Sequence, residues 1–373
     1  MARLMLKLIL MEGPETFFLC KDFKQYQGLT SVQQKELLAQ MNEMSEDTNL
    51  VFHPKGTLNN PDGKIKFGNF APQVGKRNAV EVHVPRDPDE PVEAYVRADQ
   101  NNLNPTANNK GGNALARALL GALGVSAPGQ SDTGTGSRGY SLLSCLSETT
   151  TGHDFKGHYA TRPQMKDLEQ LTRLFGRNND YEKNIYNVHV LGREGQAVTQ
   201  TISSENAHDT IVARLDTHDQ EIDLNPGTFS SVGGFKKNVA ILPDTCVEDV
   251  VTGSGTNTIV ANTQANRITL GNGSNTVVYK SVSDSPNDRP DHIVGFKTGT
   301  DKLDVASFTD YDYRDVRGNS LKTRLDIENK ADGSTWVKWW KDVGGEGTDE
   351  RAPDFLLRAD GIKKSDVITV NVI

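Results

Sequence analysis

Asn257, Asn266 and Asn275 stand nine residues apart, and so do Ile259, Ile268 and Val277, with Val250 extending that apolar column one step back. Gly253-Ser-Gly-Thr-Asn257 and Gly271-Asn-Gly-Ser-Asn275 are two copies of one turn, and Asn262-Thr-Gln-Ala-Asn266 is a worn copy between them. A nonapeptide period is the signature of a parallel β-roll, in which each short strand pairs with its counterpart in the next coil. The repeating β-branched residue fills the inside of the roll. Three columns keep register together over about residues 248–280, which chance Gly/Asn-rich turns do not do.

The chain before the roll reads differently. Alternation around Lys7 predicts a strand over about 4–11. A helix is predicted over about 31–44, with Ser31-x-x-Gln34 as its capping box and Val32, Leu38 and Met41 as its apolar face. Strands follow at about 49–53, 64–67, 80–84 and 92–96, between Gly, Pro and Asp-rich turns. A second helix, about 113–123, is apolar nearly all round (Leu115, Leu119, Leu120, Leu123) and stops at Gly124, which marks it as buried. After a Gly/Ser/Thr loop at 129–139, a third helix over about 163–175 presents Met165, Leu168, Leu171 and Leu174 and ends at Gly176. Beyond Arg177-Asn-Asn-Asp180 helix signals vanish and Asn, Thr, Gly and Val dominate. The boundary falls near residues 176–186, dividing the chain into domains 1–180 and 181–373.

Composition closes off several function classes. The 373 residues carry 41 basic and 49 acidic side chains, a net charge of −8. Non-specific binding of nucleic acid needs a clustered basic face, and the sequence has none. No apolar run reaches the roughly 20 residues that span a bilayer. The N-terminal apolar run is broken by Lys7 and followed by Glu12-Gly-Pro-Glu15, so no signal peptide is expected. Three widely spaced cysteines, Cys20, Cys145 and Cys246, exclude a disulfide framework and a CxxC metal site. Isolated thiols are the expectation, with one disulfide as the alternative.

Several segments, in their order and spacing, resemble the serralysins, secreted bacterial zinc metalloproteases with a β-roll domain. Ser147-Glu-Thr-Thr-Thr-Gly152 and Gly157-His-Tyr-Ala160 resemble the stretch after the family's Met-turn. Leu224-Asn and Ser231-Val-Gly-Gly234 resemble the start of its roll, and Asp291-His-Ile-Val-Gly-Phe296 with Asp301-Lys-Leu-Asp304 the segment after it. Asp354-Phe-Leu-Leu-Arg358 and Ser365-Asp-Val-Ile368 resemble its C-terminus. The resemblance implies an α+β, metzincin-like (zincin) N-terminal domain followed by an all-β C-terminal domain, a parallel β-roll and β-sandwich.

The same resemblance exposes a loss. A metzincin carries H-E-x-x-H-x-x-G-x-x-H, whose histidines hold zinc and whose Glu polarises the bound water. With Gly124 as the retained turn glycine, the frame puts Arg117 and Gly121 at the helical His positions, Ala118 at the Glu and Ala127 at the third His. In the Met-turn, Ser141-Leu-Leu-Ser-Cys145, Leu143 replaces the Met and Cys145 the Tyr that can reach the metal. No zinc and no catalytic residue are expected. None of the eight histidines forms an i, i+4 pair. Two enzymatic alternatives stay open: a metal site assembled from distant residues, and Cys145 acting as a nucleophile with a distant His.

The calcium ligands implied by the resemblance are weakened too. The family's repeat places Asp where this chain has Asn257, Asn266 and Asn275, and calcium affinity depends on ligand charge. Calcium, weak if any, would lie at Gly253, Gly255, Asn257, Gly271, Gly273 and Asn275, and the expectation is a roll held by stacked asparagines. Asp209 matches an acidic residue of an earlier family loop, but Ser204-Glu-Asn-Ala207 lacks that loop's glycines. Family export depends on a C-terminal Asp followed by apolar residues; here Asp366-Val-Ile continues into Thr-Val-Asn-Val-Ile373. By resemblance the chain is expected to start at the family's first strand with no propeptide, as a protein with no protease to restrain would. By resemblance it is expected outside the cell. The expected function is that of a pseudoprotease binding a host or target protein in its groove, as a toxin, effector or decoy. The rivals are a metallopeptidase with a relocated site and a β-roll protein for surface or carbohydrate attachment.

Overall fold

The computed structural model describes residues 4–10, 15–19, 22–53, 61–72, 78–129, 134–178, 186–192, 196–204, 208–309, 323–341 and 352–368. The chain is mostly sheet with few helices and divides into two compact units. One takes Met1–Asp180 with two later segments, Gly195–Ser203 and Phe235–Leu242; the other takes Tyr181–Glu194, Ser204–Gly234 and Pro243–Ile373.

The first unit is built on a mixed sheet. Strand β1 (Leu4–Leu10) is followed by a hairpin, β2 (Glu15–Leu19) and β3 (Asp22–Gln27), absent from the sequence reading. After helix α1 (Ser31–Asp47) come β4 (Leu50–His53), β5 (Gly63–Phe70), β6 (Val80–His83) and β7 (Val92–Arg97). β1 runs parallel to β4 and β5, β7 parallel to β5, and β6 antiparallel to β7. β5 sits centrally, which is why Ile65, Phe67 and Phe70 are buried.

The helices correct the pattern reading in instructive ways. In α1 the capping box lies one residue earlier than expected: the Thr30 hydroxyl accepts from Gln33 N–H at 3.2 Å, and Gln33 Oε1 accepts from Thr30 N–H at 2.9 Å. Val32 points outward at 47% exposure, and the buried face is Leu37, Met41 and Met44 with Gln33 and Gln40. Gln33 is bonded at both ends of its amide, whereas Gln40 is bonded through Nε2 and its Oε1 is buried without a donor. Gln33 Nε2 donates to Asn69 Oδ1 at 2.8 Å and to Asn102 O at 2.9 Å, and Gln40 Nε2 donates to Gly112 O at 3.0 Å. A satisfied buried amide costs little; an unsatisfied one costs about 1–3 kcal/mol.

Helix α2 (Lys110–Ala122) begins three residues before the expected start, where Asn109 Oδ1 accepts from Gly112 N–H at 3.0 Å. Leu115, Leu119 and Leu120 are fully buried, each contributing roughly 1.5–3 kcal/mol by leaving water. Helix α3 (Met165–Phe175) buries Met165, Leu168 and Leu171, while Leu174, expected on the same face, is 51% exposed. Both α2 and α3 are followed by glycines of positive φ, Gly124 at 82° and Gly176 at 78°.

In the second unit the nine-residue period resolves into eighteen. Asp249–Val251, Arg267–Thr269 and Asp291–Val294 pair in parallel within an eight-stranded sheet. Asn257–Val260, Asn275–Val278 and Lys302–Asp304 pair in parallel within a separate five-stranded sheet. Strands nine residues apart therefore lie in different sheets, and those eighteen apart are partners. The apolar column accordingly splits into two buried rows, Val250–Ile268–Ile293 and Ile259–Val277–Leu303. After the roll an aromatic cluster closes the core: Phe355 lies 5.1 Å from Tyr279 and 5.2 Å from Phe308, and Phe308 lies 5.3 Å from Trp339.

Candidate functional site

The residues singled out on α2 share one arc of the helix but differ in burial. Arg117 and Gly121, one turn apart, are half-buried, whereas Ala118 is completely buried among the core side chains. Gly121 turns towards β6, where an added Cβ would lie 3.0 Å from Val82 Cγ2. Ala127, beyond the Gly124 turn, is exposed. These four residues do not fit a zinc ion: a methyl or a hydrogen supplies no lone pair, and a guanidinium has donors only. Burial holds Arg117 below the ordinary guanidinium value; the Cys145 thiol and Asp167 act against that shift, and Arg138 adds to it. The structure thus brings Arg117, Cys145, Arg138 and Asp167 into one electrostatic neighbourhood.

The turn carrying Leu143 and Cys145 is held by side-chain oxygens. Ser141 Oγ donates to Asp167 Oδ1 at 2.6 Å, and Leu142 N–H donates to Asp167 Oδ2 at 2.8 Å. That same carboxylate accepts from Gln164 N–H at 3.0 Å, so one buried Asp both caps α3 and pins the turn. Leu143 is half-buried and Cys145 is an exposed free thiol.

Above this turn opens a cleft of about 90 Å³, lined by Asn113, Arg138, Glu148, Phe155, His158 and Tyr159 among others. Arg138 and Glu148 form an ion pair at 3.1 Å. The Arg138 Nε hydrogen is buried without an acceptor, a donor left over in the wall of the cleft. Pattern reading missed Arg138, Glu148 and Asp167. Only Asp167 carried a local signal, an acidic side chain in the first turn of a helix.

The histidines do not converge. His153 is packed against Gly139 and Tyr140, its Nδ1 2.9 Å from Thr151 Oγ1, and burial depresses it to about 4, so it is neutral at physiological pH. His158 is exposed beside Phe235. In the second unit histidines pair singly with aspartates: His189 with Asp209 at 2.9 Å, His208 with Asp249 at 3.0 Å and His218 with Asp216 at 2.8 Å. Among the described residues, no group of three or more His, Cys, Asp or Glu is placed to hold a metal ion. Asp209 is thus seen with an imidazole partner, while residues 205–207 of its loop and 369–373 of the C-terminal tail lie outside the described residues.

The roll turns stack backbone on backbone. A Cβ added to Gly271 would lie 1.9 Å from Gly253 O, and one added to Gly273 would lie 1.8 Å from Gly255 O. Side chains complete the stack. Asn257 Nδ2 donates to Gly253 O at 3.1 Å and to Asn275 Oδ1 at 2.8 Å. Asn275 Nδ2 donates to Gly273 O at 3.1 Å and to Asp301 Oδ1 at 2.9 Å. Asn266 stands apart from this ladder, at the edge of the other sheet, where its N–H donates to Asp291 Oδ1 at 2.8 Å and its side-chain amide to Glu248 O at 2.8 Å. The single stack of three asparagines expected from the period is therefore a pair, Asn257 and Asn275, with Asn266 on the other sheet. Strands nine residues apart belong to different sheets.

The fold and these turns define a β-roll protein of the serralysin type, and comparison with known proteins agrees. The family described as "Peptidase M10 serralysin C terminal" matches residues 174–364, just over half of the chain, and the chain belongs to the serralysin family. Serralysin G of Dickeya chrysanthemi is 31% identical over 317 residues, covering 74% of this chain and 65% of that protein. Serralysin of Photorhabdus luminescens is 33% identical over 200 residues, covering 46% of this chain and 41% of that protein. Serralysin B of Dickeya chrysanthemi is 26% identical over 396 aligned positions, covering 91% and 79%. The chain thus spans 65% or less of the length of the first two. Among the described residues no helix is long and apolar enough to cross a membrane.

Proposed function

We propose that this chain is a serralysin-family scaffold that holds a protein segment rather than cutting one. The reading takes the first unit as a degenerate metzincin domain, with α2 as its former zinc helix and the turn at 141–145 as its former Met-turn. The observation that carries it is the face of α2. Where the motif would supply two imidazoles and a carboxylate, the chain has Arg117, Gly121 and Ala118, and Arg117 adds a positive charge where a dication would sit.

What remains is a shaped polar cleft. The unpartnered Arg138 Nε donor, braced by the Glu148 ion pair, suits a carbonyl or carboxylate oxygen of an extended peptide, with main-chain pairing supplying affinity. In biological terms the protein is exported and acts as an effector on a host protein or as a decoy for inhibitors of active relatives.

Metal analysis of the purified full chain by mass spectrometry, together with casein hydrolysis with and without chelator, tests this. Zinc far below one equivalent and no chelator-sensitive cleavage are expected. Stoichiometric zinc with chelator-sensitive cleavage would establish a relocated metallopeptidase site and end the proposal.

A further inference from the structure

Family resemblance implies calcium between the roll turns, and the donor set there argues against it. Calcium takes six to eight oxygen ligands, usually with carboxylates among them. In the turns at 253–257 and 271–275 the carbonyl oxygens of Gly253, Gly271 and Gly273 already face hydrogen-bond donors. Gly253 O accepts from Asn257 Nδ2, and Gly273 O accepts from Asn275 Nδ2. Gly271 O lies 3.4 Å from Asn275 Nδ2 and 3.4 Å from the Lys297 ammonium, which also donates to Asn272 Oδ1 at 3.1 Å.

Of the carboxylates that meet these turns, the exposed Asp219 already accepts through Oδ1 from Thr256 N–H at 2.8 Å, and Asp301 is committed at both oxygens. Asp301 Oδ1 accepts from Asn275 N–H and Nδ2, each at 2.9 Å, and Oδ2 accepts from Lys297 N–H at 2.7 Å. The amides form a directed ladder, Asn257 to Asn275 to Asp301, that ends on a charged acceptor and so gains strength along its length. Among the described residues of this edge, Asn257 Oδ1 is the buried oxygen with no donor against it. One neutral carbonyl falls far short of a calcium cage.

We infer that in this roll the side-chain amides of Asn257 and Asn275, with the Lys297 ammonium, occupy the place of the cation, so that the second unit folds and stays folded without calcium. The asparagines act as built-in donors: N–H groups meet the carbonyls that a metal would otherwise gather. The inference is independent of whether the α2 region binds a peptide, because it concerns only the turns of the second unit.

The full chain tests it in two parts. Wild-type thermal melts in chelator and in millimolar calcium, with calorimetric titration by calcium chloride, are expected to give midpoints within about 1 °C of each other and no saturable heat. A saturable micromolar site, or a midpoint several degrees higher in calcium, would overturn the inference. The double variant Asn257→Asp/Asn275→Asp turns both donors into acceptors facing carbonyls and Asp301. Its melting midpoint is expected to fall by several degrees in chelator and to recover in calcium. A double variant that melts like wild type in chelator would also overturn it. If the variant does not fold in either condition, the wild-type titration alone decides.

Discussion

On α2, the side chains at 117, 118 and 121 are a guanidinium, a methyl and a hydrogen, and no polar bond of the motif is replaced. In the roll turns, the side chains at 257 and 275 stay polar, and each hydrogen-bonds the backbone of its own turn. The contrast follows from what the two places have to do. A turn that stacks carbonyls against its neighbour must satisfy them, because a buried oxygen without a donor costs about 1–3 kcal/mol. An amide N–H satisfies a carbonyl. The side chains at 118 and 121 supply no lone pair and serve packing: Ala118 is fully buried and Gly121 lies against Val82. On the proposed reading, the roll turns keep a structural demand that the α2 face does not have.

The comparison is most easily broken at the closest backbone approach. Gly273→Ala is expected to cost more than about 3 kcal/mol, because its Cβ would fall 1.8 Å from Gly255 O, which is backbone and cannot swing aside. Gly124→Ala at the end of α2 is the control: nothing lies within 4 Å of the added Cβ, and the strain of its positive φ alone costs about 1 kcal/mol. Thermal or urea melts compare the two, and equal losses would mean that the turns do not stack so tightly.

An effect of similar size, read through pH, is expected at the other edge of the roll, where Asp291 accepts from Asn266 N–H and from the Tyr279 hydroxyl at 2.9 Å. Burial raises Asp291 to about 8, and those two donors only partly oppose it. Its folded value lies above the ordinary unfolded value of about 3.9, so its contribution is fully present below about pH 4 and is lost as pH rises through about 8. Wild type should therefore lose roughly 4 kcal/mol more than Asp291→Asn between about pH 5 and about pH 9. Melts across that range check it, and parallel pH profiles would remove Asp291 as the cause. Smallest of all is Lys297→Met, which removes an exposed ammonium from Gly271 O and should cost less than about 1 kcal/mol. A larger loss would make the lysine, rather than the amides, the principal occupant of the turn.

Much of this molecule was legible from its residues. The apolar period revealed the roll because only an inward side chain needs to repeat, but it could not say that alternate strands belong to different sheets. The buried face of α1 was misread because Gln33 and Gln40 look solvent-facing until their partners are known, and those partners, Asn69 and Gly112, lie 36 and 72 residues away. The hairpin of β2 and β3 escaped because Cys20-Lys21 between the strands lacks the Asn-Gly or Gly signature of a tight turn. At the candidate site, the residue types at 117, 118, 121 and 127 were plain in the sequence, and their lack of metal-binding lone pairs with them. Arg138 and Glu148 did not, since one sits in a turn and the other opens a single 3-10 turn, Glu148–Thr151, both too short for a periodicity to mark a shared wall.

The pairing of strands eighteen residues apart has a consequence for how this stretch of chain can change in length. Removing nine residues leaves each local turn motif complete, yet the strand now at Asp291–Val294 would arrive in register with the sheet that holds Lys302–Asp304, and every later strand would change places. Removing eighteen takes out one whole coil and brings matching strands together again. Insertions and deletions in the roll are thus quantised at twice the visible repeat, and a natural variant differing by a single nonapeptide would have to rebuild everything that follows it.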